Sequence, residues 1–250
     1  MSTAQQTADH LRDLRLKAMA AAYEGQLDQP RLHDIPFDDR LAMLVDAEIN
    51  ARESRKLKSL VSGAAMPEPA SLEDVDYRPA RELDKSTIAS LATCEWIRRQ
   101  QNLIIHGKTG AGKTWLACAV GHQACRQKLS VSFYRASDLY DAISLAGHDG
   151  SMPKVRLALT KPALLILDDF GIGEISPSVA QVLLDIVDKR MRSKSLLVTS
   201  QYPTDEWHGF FSDPTIADAI LDRIVHQAHR IRIKGESMRK LRAQGDHWKA

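Results

Sequence analysis

The chain has 250 residues, and its 34 lysines and arginines nearly balance 32 aspartates and glutamates, so its formal net charge at pH 7 is only +2. Hydrophobic residues make up 44% and charged residues 26%, which is typical of a folded globular protein and excludes disordered, collagen-like and rod-like coiled-coil chains. No apolar run approaches the roughly 18 to 20 residues of a membrane span, and the first 19 residues do not resemble a secretory signal, so we expect no membrane association and a cytoplasmic location.

Two amphipathic helices are predicted at the N-terminal end. Apolar residues recur at helical spacing from His10 to about Gln26 and again after Pro36. Dense charges in the second helix, between Glu48 and Lys58, indicate a solvated face, with a partner-binding face as the alternative. Glycine and prolines then interrupt the helical pattern. We therefore predict a helical N-terminal domain over residues 1–62, a linker over 63–82 and a larger domain over 83–250.

The larger domain alternates short apolar segments with helical ones. The predicted strands cover residues 102–106, 130–134, 163–167, 195–199 and 230–233, and the predicted helices cover 113–127, 136–146, 177–193 and 215–228. Such alternation favours an α/β fold in which a mainly parallel, five-stranded sheet is covered by helices on both faces.

A phosphate-binding motif follows the first predicted strand. Residues 107–114, Gly-Lys-Thr-Gly-Ala-Gly-Lys-Thr, fit the pattern G-x-x-x-x-G-K-[ST] at the start of a helix. In this motif backbone N–H groups bind phosphate oxygens, Lys113 reaches the β and γ phosphates, and the Thr114 hydroxyl ligates magnesium. The sequence thus predicts a site for ATP and Mg²⁺. Its nucleotide-binding residues are Gly107, Lys108, Thr109, Gly110, Ala111, Gly112, Lys113, Thr114 and Trp115.

Two adjacent carboxylates, Asp168 and Asp169, follow the third predicted strand. A buried strand delivers them to the carboxyl edge of the sheet, where the phosphate loop lies. We expect Asp168 to join Thr114 in organising the magnesium ion, and Asp169 to orient and deprotonate an attacking water. A carboxylate dedicated to water favours ATP hydrolysis over phosphoryl transfer to another substrate.

The fourth predicted strand ends in Thr199, Ser200 and Gln201 at the same edge. Thr199 and Gln201 are candidates for holding the water or the γ-phosphate. Ordinary polarity at a strand end is the alternative, and the pattern does not decide which of the three acts as a sensor.

The order of these motifs resembles that of an AAA+ P-loop ATPase, with Asp222-Arg223 before the last strand as a further match. Within that superfamily the chain resembles the DnaA/DnaC initiator and helicase-loader branch. It is most similar to the IstB family, which comprises ATP-dependent helpers of insertion-sequence transposases. The N-terminal module and residues 235–239 favour IstB within the branch.

The resemblance implies that Arg223 is an arginine finger that reaches a neighbouring subunit's γ-phosphate, so that ATP bridges the subunits of a homo-oligomer. The alternative is a salt bridge from Arg223 to Asp218 or Asp222. Residues 234–250 are too few for the helical lid of typical AAA+ modules, so the lid is expected to be absent or vestigial. Arg239 is a candidate substitute for the lid arginine, with a DNA contact or a solvated residue as alternatives.

The resemblance also implies binding of double-stranded DNA without sequence preference. Phosphate contacts repeated around an oligomer would sum to a strongly salt-dependent affinity, although solvated helix ends are the alternative for any single residue. The DNA-binding candidates are Lys154, Arg156, Arg190, Arg192, Lys194 and Arg239.

Three functions remain open at this level. The first is an ATPase that oligomerises on duplex DNA and assists an IstA-like transposase, bound through the N-terminal helices, in target capture. The second is a DnaC-like loader that binds a replicative helicase instead. The third is a scaffold in which ATP is a structural switch with negligible turnover.

Overall fold

The computed structural model describes residues 3–238, in which five helices precede a region where strands and helices alternate. The helices are α1 (Thr3–Asp13), α2 (Lys17–Leu27), α3 (Phe37–Ala64), α4 (Lys85–Ala92), α5 (Glu95–Arg98), α6 (Lys113–Arg126), α7 (Ala136–Asp149), α8 (Met152–Thr160), α9 (Pro177–Arg190) and α10 (Pro214–Val225). The strands are β1 (Asn102–Gly107), β2 (Val131–Arg135), β3 (Leu164–Asp168), β4 (Ser195–Ser200) and β5 (Ala228–Ile233). The chain divides into two compact units, Met1–Ser59 and Leu60–Ala250. None of the helices described is long and apolar enough to cross a membrane.

The first unit begins with two helices where the sequence predicts one. The break lies between α1 and α2, where Arg15 has a φ of 61°. This left-handed conformation ends helices and is usually taken by glycine, so an arginine there gives no local signal of the break. The amide of Leu16 closes the turn by donating to the Leu11 carbonyl at 2.8 Å.

Glu48 on α3 is buried, which contradicts its assignment to a solvated face. Its carboxylate accepts hydrogen bonds from the amides of Ala18 and Met19 at 2.8 and 3.2 Å, in the first turn of α2. Burial raises the pKa of Glu48, but the hydrogen bonds from Arg52 and from these amides outweigh it and leave the pKa below its usual value. Glu48 therefore supplies the cap that α2 lacks locally, since its own N-cap residue makes no side-chain hydrogen bond.

The second unit contains a five-stranded sheet in the order β2-β3-β4-β1-β5, with every pair of neighbouring strands parallel. This confirms the predicted α/β fold and its parallel sheet. The central strands β1, β3 and β4 are almost entirely buried, as expected for strands covered on both faces.

Alternate residues of the strands pack into separate cores on the two faces of the sheet. Leu103 and Ile105 of β1 pack with α4, α5 and α6, whereas Ile104 packs with α7, α9 and α10. This alternation follows from the two-residue period of a strand. Parallel strands also carry their last residues to one edge, so β1, β3 and β4 all end at the edge where α6 begins.

Residues 63–82, predicted as a linker from their glycine and prolines, are partly buried. Ala64, Ala70, Leu72 and Val75 are buried in the core that also contains α6, and Arg81 is buried as well. Apolar side chains at irregular spacing escape a search for helical or strand periodicity, yet they bury surface equally well. This segment is therefore part of the second unit.

Candidate nucleotide site

The phosphate loop, residues 107–114, connects β1 to α6. It needs glycine where it approaches other backbone closely, since a Cβ at Gly107 would lie 2.3 Å from the carbonyl oxygen of Ile233. Gly112 caps α6 with a φ of 92°, which disfavours any residue with a side chain. Lys113 is only 5% exposed, and its Nζ donates to the Lys108 carbonyl at 3.3 Å. The loop is thus closed on itself with its lysine directed inward.

Asp168 and Thr114 lie together at the carboxyl ends of β3 and the phosphate loop. The Thr114 hydroxyl donates to Asp168 Oδ2 at 2.8 Å, and the Thr199 hydroxyl donates to Oδ1 at 2.6 Å. Burial raises the pKa of Asp168, and the two hydroxyl donors oppose that rise. A carboxylate beside a hydroxyl at the entrance of a phosphate loop is a suitable oxygen donor pair for Mg²⁺.

Asp169 takes the left-handed conformation, with a φ of 57°, which aspartate tolerates better than most residues. Its amide donates to the Thr199 hydroxyl at 2.9 Å, and its side chain lines the cavity beside the phosphate loop. The reversal of chain direction at Asp169 therefore separates two adjacent carboxylates. Asp168 is buried against the sheet, whereas Asp169 borders open space.

Thr199 and Gln201 contact different parts of the site. Thr199 is fully buried, and its hydroxyl links Asp168 to the backbone of Asp169, so the role this geometry supports is positioning both carboxylates rather than touching a phosphate or a water. Gln201 Oε1 accepts a hydrogen bond from the Thr109 hydroxyl of the phosphate loop at 2.8 Å. Gln201 therefore contacts the phosphate loop directly, whereas Thr199 contacts the two aspartates.

A cavity of about 190 Å³ adjoins the phosphate loop. Of the nucleotide-binding residues expected from sequence, Thr109, Gly110, Gly112, Lys113, Thr114 and Trp115 line it, together with Asp169. Gly107, Lys108 and Ala111 belong to the loop but do not line the cavity. Its remaining walls include residues that sequence reasoning missed, among them Val75, Asp76, Arg81, Leu83 and Met238. No sequence motif marks residues 75–83, because only the fold brings them beside the loop. Met238 lies in the segment 235–239 that resembles IstB, but that resemblance did not assign it to the nucleotide site.

The combination of apolar wall, glycine-rich loop, buried lysine and paired carboxylates fits a nucleotide and its magnesium ion. A family model for IstB-like ATP-binding proteins matches residues 9–245 of the chain. The chain belongs to the IstB-like ATP-binding protein family. A relative in Sinorhizobium fredii, the insertion sequence ATP-binding protein y4uH, is 41% identical over 236 residues, which are 94% of this chain and 95% of that protein.

Solved structures with the same fold come from the initiator and helicase-loader branch of AAA+ proteins. AMPPCP-bound DnaA from Aquifex aeolicus aligns with 72% of this IstB-like chain and 57% of its own, with a TM-score of 0.57 and 18% identity. The DnaC helicase loader aligns with 66% of this chain and 97% of its own, with a TM-score of 0.52 and 18% identity. These likenesses confirm the AAA+ fold that the motif order predicted.

Arg223 of this IstB-like protein lies on α10 and is held by α9. Its Nε and Nη2 each lie 3.0 Å from Asp188 Oδ1, and its Nη1 donates to the Ala219 carbonyl at 2.7 Å. The salt bridge is thus to Asp188, and neither Asp218 nor Asp222 is the partner that the sequence suggested. Asp188 on α9 therefore orients the guanidinium. The Arg223 side chain is 27% exposed, so it remains accessible at the surface of the unit.

Arg190 is not available to DNA, contrary to its place among the DNA-binding candidates. It is 1% exposed, and its guanidinium donates to the carbonyls of Leu159, Pro162, Ala163 and Ser195 at 2.6 to 3.4 Å. Burial lowers the pKa of Arg190 to about 9, so the group is still charged at neutral pH. Arg190 connects the end of α8 to the start of β4, and a helix-end arginine in sequence gives no sign of this burial.

Replacing Arg190 with leucine should therefore destabilise the protein strongly. The substitution leaves several buried carbonyls without donors, and a cost of about 3 to 5 kcal/mol in the free energy of unfolding is expected. Chemical denaturation would measure this, with Arg192→Leu at an exposed position as the matched control, expected to change stability by less than about 0.5 kcal/mol. Equal stability of the two variants would contradict the structural role of Arg190.

The other DNA-binding candidates differ in accessibility. Lys154 and Arg192 are exposed and Lys194 is half-buried. Arg156 on α8 pairs with Asp185 on α9 at 3.0 Å, so part of its charge is already compensated. Arg239, the candidate substitute for a lid arginine, lies outside the described residues.

Proposed function

We propose that this IstB-like protein is a Mg²⁺-dependent ATPase that oligomerises on duplex DNA without sequence preference and assists an insertion-sequence transposase in target capture. The membership of its relatives in insertion sequences supports the transposition context. The N-terminal helices would bind the transposase. ATP-bridged contacts between subunits would form the DNA-binding assembly.

The proposal of ATP hydrolysis depends on the different surroundings of Asp168 and Asp169. Asp168 is engaged by the Thr114 and Thr199 hydroxyls, in the place of a magnesium-organising carboxylate. Asp169, which has the left-handed backbone conformation, lines the cavity beside the phosphate loop. This position suits a general base that activates water. A scaffold that only stores ATP has no need of this second carboxylate.

The position of Arg223 supports assembly of several subunits. Arg223 is bound to α9 rather than to its own phosphate loop, and it is accessible at the surface. An arginine so placed suits contact with the γ-phosphate of a neighbouring subunit, where its planar fork matches phosphate oxygens. Turnover would then depend on oligomerisation.

Sedimentation with and without a 60-base-pair random-sequence duplex, each in Mg·ATP and in ADP, tests the proposal. We expect a large complex only when ATP and duplex are both present, with its amount falling steeply as salt rises from 50 to 200 mM. A large complex with ADP, or one insensitive to salt, would contradict the ATP-gated assembly. A monomer in all four conditions would favour the helicase-loader function instead, and association with a replicative helicase would then be measured.

A further inference from the structure

Two segments outside the phosphate-binding motif hold the phosphate loop: residues 76–83, which precede α4, and residues 234–238, which follow β5. Arg81 of the first segment donates from Nη2 to the Ala111 carbonyl at 2.9 Å. A Cβ built on Gly112 would lie 3.2 Å from the same Nη2, so the guanidinium packs directly under the loop.

The second segment bonds both to Arg81 and to the loop. The amide of Lys234 donates to the Arg81 carbonyl at 3.2 Å, and the amide of Met238 donates to the Gly110 carbonyl at 2.9 Å. Consecutive carbonyls of the loop, those of Gly110 and Ala111, therefore each accept a hydrogen bond from outside the motif. Arg81 therefore contacts the loop through its side chain and residues 234–238 through its carbonyl.

The burial of Arg81 has no explanation in packing alone. The side chain is nine-tenths buried, and the nearest carboxylate oxygen within the described part of the chain, Asp76 Oδ2, lies 3.8 Å from Nη1. Burial lowers the pKa of Arg81, with the charge of Asp76 opposing that shift. Placing a cation in such surroundings costs desolvation energy that an apolar side chain of similar volume would avoid. Its Nε also has no hydrogen-bond partner within residues 3–238, and the side chain lines the nucleotide cavity.

The hydrogen bond to Ala111 has a direct geometrical effect on nucleotide binding. In a trans peptide the carbonyl and the following N–H point in opposite directions. Holding the Ala111 carbonyl toward Arg81 therefore fixes the direction of the Gly112 N–H, which is one of the backbone N–H groups that bind phosphate oxygens in this motif. The charge of Arg81 next to the loop also favours an anion there.

We propose that Arg81 is a positioning residue of the nucleotide site, which fixes the peptide between Ala111 and Gly112 in its phosphate-binding orientation and joins the loop to residues 234–238. This inference rests on the nucleotide binding of the family. It depends on neither DNA assembly nor hydrolysis, so its test is independent of theirs.

Binding of ATP and of ADP to Arg81→Met, Arg81→Lys and Arg78→Met variants tests the inference by calorimetric titration. Arg78 is the matched control, because it lies in the same segment and pairs with the same carboxylate, Asp76, but has an exposed side chain. Arg81→Met should lower the affinity for ATP and for ADP by a similar factor of about ten, which is the effect of losing one hydrogen bond from a charged group. Arg81→Lys keeps the charge but not the planar guanidinium, and its affinity for both nucleotides should fall about threefold. Arg78→Met should stay within about twofold.

Amide hydrogen exchange of the nucleotide-free proteins separates positioning from general stability. Faster exchange at Met238 and Lys234 in Arg81→Met, with a thermal midpoint close to that of the parent, would support the proposal. Parent-like affinity and exchange in a folded Arg81→Met variant would overturn it. If that variant does not fold, Arg81→Lys decides: weaker binding with a parent-like thermal midpoint supports the proposal, and parent-like affinity and exchange overturn it.

Discussion

Replacing Lys113 with alanine is expected to abolish nucleotide binding and, with it, ATP-dependent assembly on DNA. Lys113 is only 5% exposed, and its Nζ donates a hydrogen bond to the Lys108 carbonyl within the phosphate loop. It is therefore oriented before a nucleotide arrives. Loss of its charge-assisted hydrogen bonds to two phosphates should lower the affinity for ATP at least about a hundredfold.

Titration with ATP and sedimentation on the 60-base-pair duplex measure this effect together. Lys161→Ala, which removes an exposed lysine outside the site, is the matched control and should bind and assemble like the parent. Normal assembly of Lys113→Ala on DNA with ATP would contradict the phosphate-loop assignment. If Lys113→Ala bound ATP normally but did not assemble, Lys113 would be needed for communication between subunits and not for nucleotide binding.

Asp169→Asn and Arg223→Ala should each lose turnover by at least about a hundredfold, and mixing the two variants should restore part of it. The first lacks the base for water, and the second lacks the arginine that reaches the neighbouring phosphate. In a mixed oligomer an intact base and an intact arginine meet at some of the interfaces. Steady-state ATPase assays on duplex DNA at a series of mixing ratios would measure the recovery.

Asp188→Asn provides the control that separates the two interpretations of Arg223. If Arg223 serves only as a partner of Asp188, removing either charge should affect turnover equally. If Arg223 acts on a neighbouring subunit, Asp188→Asn should keep most of the turnover, because the guanidinium remains and the Ala219 carbonyl still holds it. Absence of any recovery in the mixed oligomers would leave the ATPase without a contribution in trans.

Asp169→Asn should also still bind ATP and assemble on DNA, because the phosphate loop and Asp168 are untouched. Sedimentation of this variant with ATP should therefore give the large complex, and hydrolysis-dependent release should be lost. Turnover that survives the substitution would mean that another group activates the water. Gln201, which is bound to Thr109, would be the first residue to examine.

Several features were determined by the sequence itself, because they depend on local pattern. The alternation of short apolar segments with helical ones, the glycine-rich loop and the paired aspartates together predicted the α/β fold, the nucleotide site and the family. The strand positions agree with the structure to within about two residues, as for β1, predicted at 102–106 and observed at Asn102–Gly107. Helix α8, at Met152–Thr160, was missed because it has only nine residues, carries a proline at its second position and begins soon after α7 ends.

Other features depended on tertiary structure, because they concern which partner a polar group meets across the fold. The same residue type, arginine, is a buried donor to carbonyls at Arg190, a support of the phosphate loop at Arg81 and a partner of Asp188 at Arg223. Thr199 and Gln201, two residues apart, contact a carboxylate and the phosphate loop respectively. Local sequence records the charge and the hydrogen-bonding capacity of such side chains. Their burial and their partners are set by contacts between segments far apart in the chain, and those contacts exist only once the sheet and its helices have packed.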